Sequence, residues 1–261
     1  MKVGVVTFPG SNSDVDSLNA LAVAGVEPVT LWHESPDLSG VSAVILPGGF
    51  AYGDYIRAGV IARFSPVMRG VKEFAASGGY VLGICNGFQV LAESGLVPGA
   101  LLRNRSLRFA SKIVAIRPER LDSPFTRAAT GAPIHIPIAH GEGCYYADES
   151  TLDGLERDGQ VLFRYVHEDG TPALDPDDPA NPNGSLRAIA GVCNSAGNVA
   201  GLMPHPERMS EAVLGTDEGL QLIRSLVESA RDWEAAGRPA PAAAAAGTTA
   251  GTAPAAVEAG R

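Results

Sequence analysis

The stretch that most constrains the fold of this chain is Gly83-Ile84-Cys85-Asn86-Gly87, which follows the apolar run at 80–82. A cysteine between two glycines at this spacing is typical of a nucleophile elbow, in which a strand turns sharply into a helix. Such a turn places the sulfur at the amino end of the helix, where free N–H groups and the helix dipole favour thiolate over thiol. The motif therefore predicts a strand, a turn and a helix around a reactive Cys85.

An unreactive Cys85 is the alternative interpretation, because a free cysteine after apolar residues is commonly part of a core. Core packing does not require glycine at both flanking positions, however, and Cys144 and Cys193 lack such glycines. We therefore interpret Cys85 as functional and the other two cysteines as structural. Three cysteines spread far apart do not suggest a disulfide framework, which favours a reducing, cytoplasmic compartment.

Composition excludes several classes of partner. The chain has 261 residues, 45% of them hydrophobic, and a formal net charge of −9. An acidic chain of this kind is not expected to bind nucleic acid or an anionic membrane. It shows neither a leader-like apolar segment at the N-terminus nor ~20 uninterrupted apolar residues, so we expect neither secretion nor membrane insertion. It also lacks the glycine-rich phosphate-loop and dinucleotide motifs, so binding of ATP or a dinucleotide by those routes is not expected.

Strands and helices alternate in the first part of the chain. Strands are predicted at 3–8, 26–32, 41–46 and immediately before Cys85, with helices between them. This order predicts an α/β fold with a mostly parallel sheet and helices on both faces. In such sheets ligands bind beyond the carboxyl ends of the strands, where both Cys85 and the turn Pro47-Gly48-Gly49 fall. The glycine pair can present N–H groups to a developing negative charge, although an ordinary turn uses the same residues.

The second half of the sequence reads as β-rich. Strands are predicted within 106–116, 131–147 and 160–166, followed by a hairpin formed by 186–193 and 199–203. Residues 171–184 are rich in Pro, Asp and Asn and predict an irregular loop. An amphipathic helix is predicted at 216–231. From 233 to 261 the composition falls to Ala, Pro, Gly and Thr, which predicts a disordered tail without a catalytic role.

A cysteine nucleophile needs a base, and that base needs a group to orient it. Two of the five histidines occur as His-x-Glu, namely His140 with Glu142 and His205 with Glu207. In an extended segment residues two apart share a face, so either glutamate can orient its histidine. Sequence reasoning leaves both pairs open. It favours the later one, because His205 follows an apolar strand and stands between two prolines.

Gln89 lies four residues after Cys85, which places both on one face of the predicted helix. A side-chain amide at that position can recognise a polar amino-acid substrate. The alternative is that Gln89 is an ordinary helix-forming residue.

The motifs together resemble the class I, or triad, glutamine amidotransferases, and within them the subunits that serve purine biosynthesis. The resemblance extends over residues 1 to about 230, so that 1–232 is interpreted as one amidotransferase domain with a flavodoxin-like sheet. It is carried by five stretches: Phe8-Pro9-Gly10-Ser11-Asn12, Leu46-Pro47-Gly48-Gly49-Phe50-Ala51-Tyr52-Gly53-Asp54-Tyr55, Gly83-Ile84-Cys85-Asn86-Gly87-Phe88-Gln89, Ala139-His140-Gly141-Glu142-Gly143 and Met203-Pro204-His205-Pro206-Glu207-Arg208.

The resemblance implies a role for each matching residue. It implies Cys85 as nucleophile, His205 as general base and acid, and Glu207 as the group that orients His205. It implies the backbone N–H groups of Gly49 and Asn86 as the oxyanion donors. Segment 140–143 is implied to lie near the glutamine pocket or the contact with a partner, so His140 joins Gln89 as a candidate substrate-binding residue.

The resemblance also implies an activity and partners. The chain would hydrolyse L-glutamine and pass ammonia to a separate synthetase subunit, which uses ATP and Mg²⁺ to convert formylglycinamide ribonucleotide to the amidine, in a complex that contains a third, small subunit. No cofactor or metal is implied for this chain itself. Two alternatives remain: a stand-alone cysteine hydrolase on a similar sheet, and a non-catalytic interaction subunit in which Cys85 is only part of the core.

Overall fold

The protein is described by a computed structural model over residues 1–239. Within this range the chain forms eleven strands, five α-helices and several short 3₁₀ turns. The strands are β1 Lys2–Thr7, β2 Glu27–Trp32, β3 Val41–Leu46, β4 Tyr80–Ile84, β5 Ala100–Leu102, β6 Ala110–Pro118, β7 Ile134–His140, β8 Cys144–Tyr146, β9 Val161–Tyr165, β10 Ile189–Cys193 and β11 Val199–Leu202. The helices are α1 Asp14–Val23, α2 Pro66–Ala76, α3 Asn86–Glu93, α4 Glu149–Arg157 and α5 Leu220–Ala235.

Nine of these strands form one sheet in the order β2-β1-β3-β4-β11-β10-β9-β6-β7, and β5 pairs with β8 separately. The strands from β2 to β11 are mutually parallel, while each later pair is antiparallel. Strands β9 and β7 consequently point the same way as the parallel five. The α/β prediction with a mostly parallel sheet is confirmed, and so is its β-rich second half.

The central strand β3 shows why the first half folds as it does. All six of its residues, Val41–Leu46, are buried, as expected of a parallel strand covered on both faces. Strand β7 is different, because buried and partly exposed residues alternate along Ile134–His140, the pattern of an edge strand with one face toward the core. Its position at the edge of the sheet tolerates Pro137, which cannot donate a ladder hydrogen bond.

The antiparallel half of the sheet curls back toward the segment that follows β11. Four strand spacings separate β11 from β7, which would place them roughly 19 Å apart in a flat sheet. Nevertheless the His205 N–H donates to the Pro137 carbonyl at 2.8 Å. This curvature brings the segment after β7 and the segment after β11 to the same place.

Some element boundaries differ from the predictions. Helix α4 was not expected, yet Asp148 caps it by accepting from the Thr151 N–H, and Leu152 and Leu155 bury its apolar face. The last helix continues to Ala235, past the start of the predicted tail at 233, because Trp233 packs edge-on against Phe74. The rest of that predicted tail, residues 240–261, lies outside the described residues. No helix within 1–239 is long and apolar enough to cross a membrane.

Candidate active site

Cys85 occupies a strained turn between β4 and α3. Its backbone has φ 50° and ψ −106°, a conformation that costs on the order of 1–3 kcal/mol for a residue with a side chain. The close packing explains the flanking glycines, since a Cβ at Gly87 would overlap the Leu46 carbonyl oxygen and one at Gly83 would lie 2.7 Å from the Gly87 carbonyl carbon. The predicted strand, turn and helix are therefore present, with the cysteine 4% exposed.

His205 and Glu207 form a buried pair. The imidazole Nδ1 lies 2.6 Å from the Glu207 carboxylate, and the two residues are 2% and 1% exposed. Burial by itself lowers the pKa of His205, but the negative charges of Glu207 and Cys85 outweigh it and raise the pKa to about 10. The other ring nitrogen, Nε2, is buried and has no hydrogen-bond partner in the described part of the chain. It is therefore free to exchange a proton with a reacting group.

The two glycines of the Pro47-Gly48-Gly49 turn have different surroundings. A Cβ at Gly48 would lie 2.5 Å from the His205 ring, so this glycine makes room for the imidazole. Hydrogen bonds from Asn12 to the Gly48 carbonyl and from Phe50 to the Gly10 carbonyl flank Gly49. Within residues 1–239 the N–H of Gly49 itself donates to no protein acceptor, and neither does the N–H of Asn86. Both groups are available to an oxyanion.

Cys85 and Gly49 line a cavity of about 170 Å³, whereas His205, Glu207 and Asn86 lie behind its walls. Four of the residues predicted from the sequence contribute to its walls: Gly49, Cys85, Gln89 and His140. The volume is below the ~300–1,000 Å³ of pockets for drug-sized ligands, so a small molecule of amino-acid size fits better than a nucleotide.

The hydrogen-bond geometry around His140 settles its tautomer. The Asn104 amide nitrogen donates to the carbonyls of Arg108 and His140, and its oxygen accepts from the Gly143 N–H at 3.0 Å. That oxygen also lies 3.1 Å from His140 Nδ1, which must therefore carry the proton. Burial, together with the nearby charge of His205, lowers the pKa of His140 to about 3, so the ring is neutral at physiological pH.

The consequence is a buried acceptor beside the cavity. His140 Nε2 is inaccessible and has no partner among the described residues. As the unprotonated nitrogen of a neutral ring, it can only accept a hydrogen bond, and an N–H of a ligand reaches it only when the side chains around it shift.

The Gln89 amide is already engaged within the protein. Its oxygen accepts from the Asn86 side chain at 2.9 Å, and its nitrogen donates to the Glu142 carbonyl at 2.6 Å. Gln89 lines the cavity as expected, but in this structure its amide connects α3 to the turn after β7.

Sequence reasoning did not identify Asp54 or Asn104. Asp54 lines the same cavity and accepts from Asn86 at 3.1 Å, while burial raises the pKa of its carboxyl to about 6. Its position in the loop after the glycine turn was a weak signal. Asn104 carries no local signal at all, because its contacts depend on how the turn after β7 folds over it.

Comparison with known proteins gives consistent matches. A family model for the CobB/CobQ-like glutamine amidotransferase domain matches residues 1–221. The PurQ subunit of phosphoribosylformylglycinamidine synthase from Rubrobacter xylanophilus is 54% identical over 88% of this chain and 100% of its own length. The corresponding subunit from Gloeobacter violaceus is 54% identical over 88% of this chain and 98% of its own length. In the structure of PurLQS from Thermotoga maritima, one chain is 41% identical over 87% of this chain and 97% of its own length, with a TM-score of 0.75.

Proposed function

The chain belongs to the PurQ family of CobB/CobQ-like glutamine amidotransferases, and on that premise we propose that it is the glutaminase subunit of phosphoribosylformylglycinamidine synthase. In this role it hydrolyses L-glutamine to glutamate and supplies the ammonia with which formylglycinamide ribonucleotide becomes formylglycinamidine ribonucleotide. The observation that carries the proposal is the elbow cysteine in the wall of a cavity of amino-acid size, with the buried His205–Glu207 pair close enough for the charge of Cys85 to raise the pKa of His205.

The first half-reaction forms a thioester. The Cys85 thiolate attacks the side-chain carbonyl carbon of glutamine, and the N–H groups of Gly49 and Asn86 hold the oxygen as it becomes negative. When the tetrahedral intermediate collapses, the carbon–nitrogen bond breaks and His205 gives its proton to the departing ammonia. The raised pKa of His205 keeps that proton on the ring until it is needed.

The second half-reaction releases glutamate. His205, now neutral, takes a proton from a water molecule that attacks the thioester carbon. The carbon–sulfur bond then breaks and the Cys85 thiolate is restored. Glu207 keeps the imidazole oriented throughout, through its 2.6 Å contact with Nδ1.

His140 suits a role in holding the substrate. Its unpartnered Nε2 can accept from an N–H of glutamine, and a ring that stays neutral does not compete with His205 for the catalytic proton. Gln89 lines the same cavity, and its amide can contact glutamine only by exchanging one of its present partners.

The proposed partners follow from the relatives. PurL, the synthetase subunit, would hold ATP and Mg²⁺, and PurS would complete the complex, which operates in the cytoplasm. No cofactor is assigned to this chain. Within 1–239 no group of three or more His, Cys, Asp or Glu residues is placed to hold a metal ion.

The test is a reconstituted complex that contains Cys85→Ala. We expect loss of the glutamine-dependent reaction by at least about 10³-fold, because no covalent intermediate can form. The reaction with added ammonia should persist, since it bypasses the cysteine. Cys144→Ala, which removes a half-buried thiol outside the cavity, is the matched control and should retain both reactions. Loss of both reactions in a complex that still assembles with Cys85→Ala would contradict the division of labour.

A further inference from the structure

The side chain of Asn86 joins the glycine turn, which carries the free N–H of Gly49, to the start of α3, which carries the free N–H of Asn86 itself. Its oxygen accepts from the Ala51 N–H at 3.0 Å, and its nitrogen donates to the Asp54 carboxylate at 3.1 Å. Because a backbone N–H can only donate, the amide oxygen must face Ala51, which settles the orientation of the group. Asn86 is 2% exposed and its contact with Ala51 is buried, while its contact with Asp54 is partly buried at the edge of the cavity.

These contacts hold the glycine turn to the elbow. Backbone hydrogen bonds also join the turn to the loop after β1, among them those from Phe50 to Gly10 at 2.9 Å and from Tyr52 to Pro9 at 2.7 Å. In the described part of the chain, the hydrogen bonds between residues 47–54 and residues 85–89 all involve the Asn86 side chain.

The segment that Asn86 holds is strained. Tyr52 and Asp54 both have positive φ, at 55° and 52°, a conformation that costs on the order of 1–3 kcal/mol for each such residue and persists only when its surroundings enforce it. Asn86 contacts Ala51, directly before this strained stretch, and Asp54, its last residue. Removing them would allow the turn, and the Gly49 N–H with it, to relax away from Cys85.

The Asn86 amide also contacts Gln89, which lines the cavity. Its nitrogen also donates to the Gln89 oxygen at 2.9 Å, and Gln89 donates to the Glu142 carbonyl at 2.6 Å. Glu142 belongs to the turn that follows His140, so one chain of hydrogen bonds runs from the glycine turn through α3 to the substrate side of the cavity.

We propose that Asn86 and Asp54 are positioning residues, whose side-chain hydrogen bond holds the Gly49 N–H and the Asn86 N–H at the spacing that an oxyanion requires. This inference rests on the proposed function, in which those two groups stabilise the tetrahedral intermediate. Preorganised donors stabilise the transition state more than the bound substrate. Loss of the link therefore affects kcat more than KM.

The test is steady-state glutaminase kinetics of the reconstituted complex with Asn86→Ala, Asp54→Ala and Asp54→Asn. For Asn86→Ala we expect kcat to fall about 10- to 100-fold while KM for glutamine changes less than about threefold, because donors displaced by about 1 Å stabilise the oxyanion poorly. Asp54→Ala should lower kcat in the same way. Asp54→Asn should recover most of the rate, since its amide oxygen can still accept from Asn86.

Two further measurements on the same complexes separate the possible failures. Thermal unfolding reports whether a variant is folded, and alkylation by a diazo-ketone analogue of glutamine reports whether Cys85 is still reactive. A folded, labelled Asn86→Ala complex with kcat within about threefold of the unmutated complex would overturn the positioning role, because displaced donors must slow the reaction. Equal rates for Asp54→Ala and Asp54→Asn would also overturn it. An unmutated complex that is neither labelled at Cys85 nor active on glutamine would instead overturn the proposed function.

Discussion

At the scale of single residues, the proposed chemistry depends on the charge of the buried His205–Glu207 pair. A histidine isolated in a core would be neutral, because burial disfavours the imidazolium. Here the carboxylate of Glu207 and the sulfur of Cys85 reverse that preference and raise the pKa of His205 to about 10. His140, buried nearby but facing the neutral Asn104, has its pKa lowered to about 3. Both histidines are buried, so their partners decide which of the two holds a proton at physiological pH.

The raised pKa of His205 predicts how stability depends on pH. The free histidine titrates near 6.5, so the stabilisation from this group is complete below about pH 6.5 and is lost as pH rises through about 10. Glu207→Gln removes the charge that raises this pKa. The unfolding free energy of the unmutated chain should therefore fall more steeply over this range than that of the variant, by up to about 1.4 kcal/mol per pH unit.

Urea unfolding at three pH values within that range, about 6.5, 8 and 9.5, measures the two slopes. Glu211→Gln, at an exposed position a few residues along the same segment, is the matched control and should follow the unmutated chain. Equal slopes for Glu207→Gln and the unmutated chain would show that the pair is not charged as described.

At the scale of elements, the elbow depends on close contact between α3 and the end of β3. Gly87 lies where any side chain would overlap the Leu46 carbonyl oxygen, whereas a Cβ at Gly154, inside α4, would approach only the end of the Arg157 side chain at 3.6 Å. Helices α3 and α4 are similar in length, but the surroundings of their glycines differ. Gly87 is required by packing, while nothing in its surroundings requires Gly154.

Alanine at these two positions should have opposite effects. Gly87→Ala must separate α3 from β3 and should destabilise the chain by about 1–3 kcal/mol or more, as overpacked cores do. Gly154→Ala should stabilise it by about 0.5–1 kcal/mol, because alanine favours the helix. Chemical denaturation of both variants measures the difference. An unfolding free energy for Gly87→Ala equal to that of the unmutated chain would contradict the packing described for the elbow.

The elements that sequence predicts well are those whose signal is local. The elbow was predicted because strand, glycines and cysteine are contiguous, and the parallel strands because each carries a short run that is mostly apolar. The choice between His140 and His205 was not determined by local pattern, since both stand in His-x-Glu. It depends on Asn104 and on the curl of the sheet. The hydrogen bond between Asp54 and Asn86 likewise joins residues 32 apart in sequence, a pairing that no local pattern reports.

At the scale of the whole molecule, the curled sheet assembles the site from remote parts of the chain. The parallel half supplies the glycine turn and the elbow, and the antiparallel half returns β7 to the segment that carries His205, where Pro137 accepts the His205 N–H at 2.8 Å. The helix continues past 231, where Trp233 packs against Phe74, a residue remote in sequence, so composition alone did not place its end. The fold and the chemistry therefore depend on the same long-range contacts.

Capture of the covalent intermediate tests the proposed chemistry of Cys85 most directly. The assembled complex is mixed with isotopically labelled glutamine, quenched with acid within one turnover, and digested for mass spectrometry. We expect a γ-glutamyl thioester on the peptide that contains Cys85, and none on the corresponding peptide of Cys85→Ala. Active complex that carries no label on Cys85, or carries it on Cys144 or Cys193, would contradict the proposed chemistry.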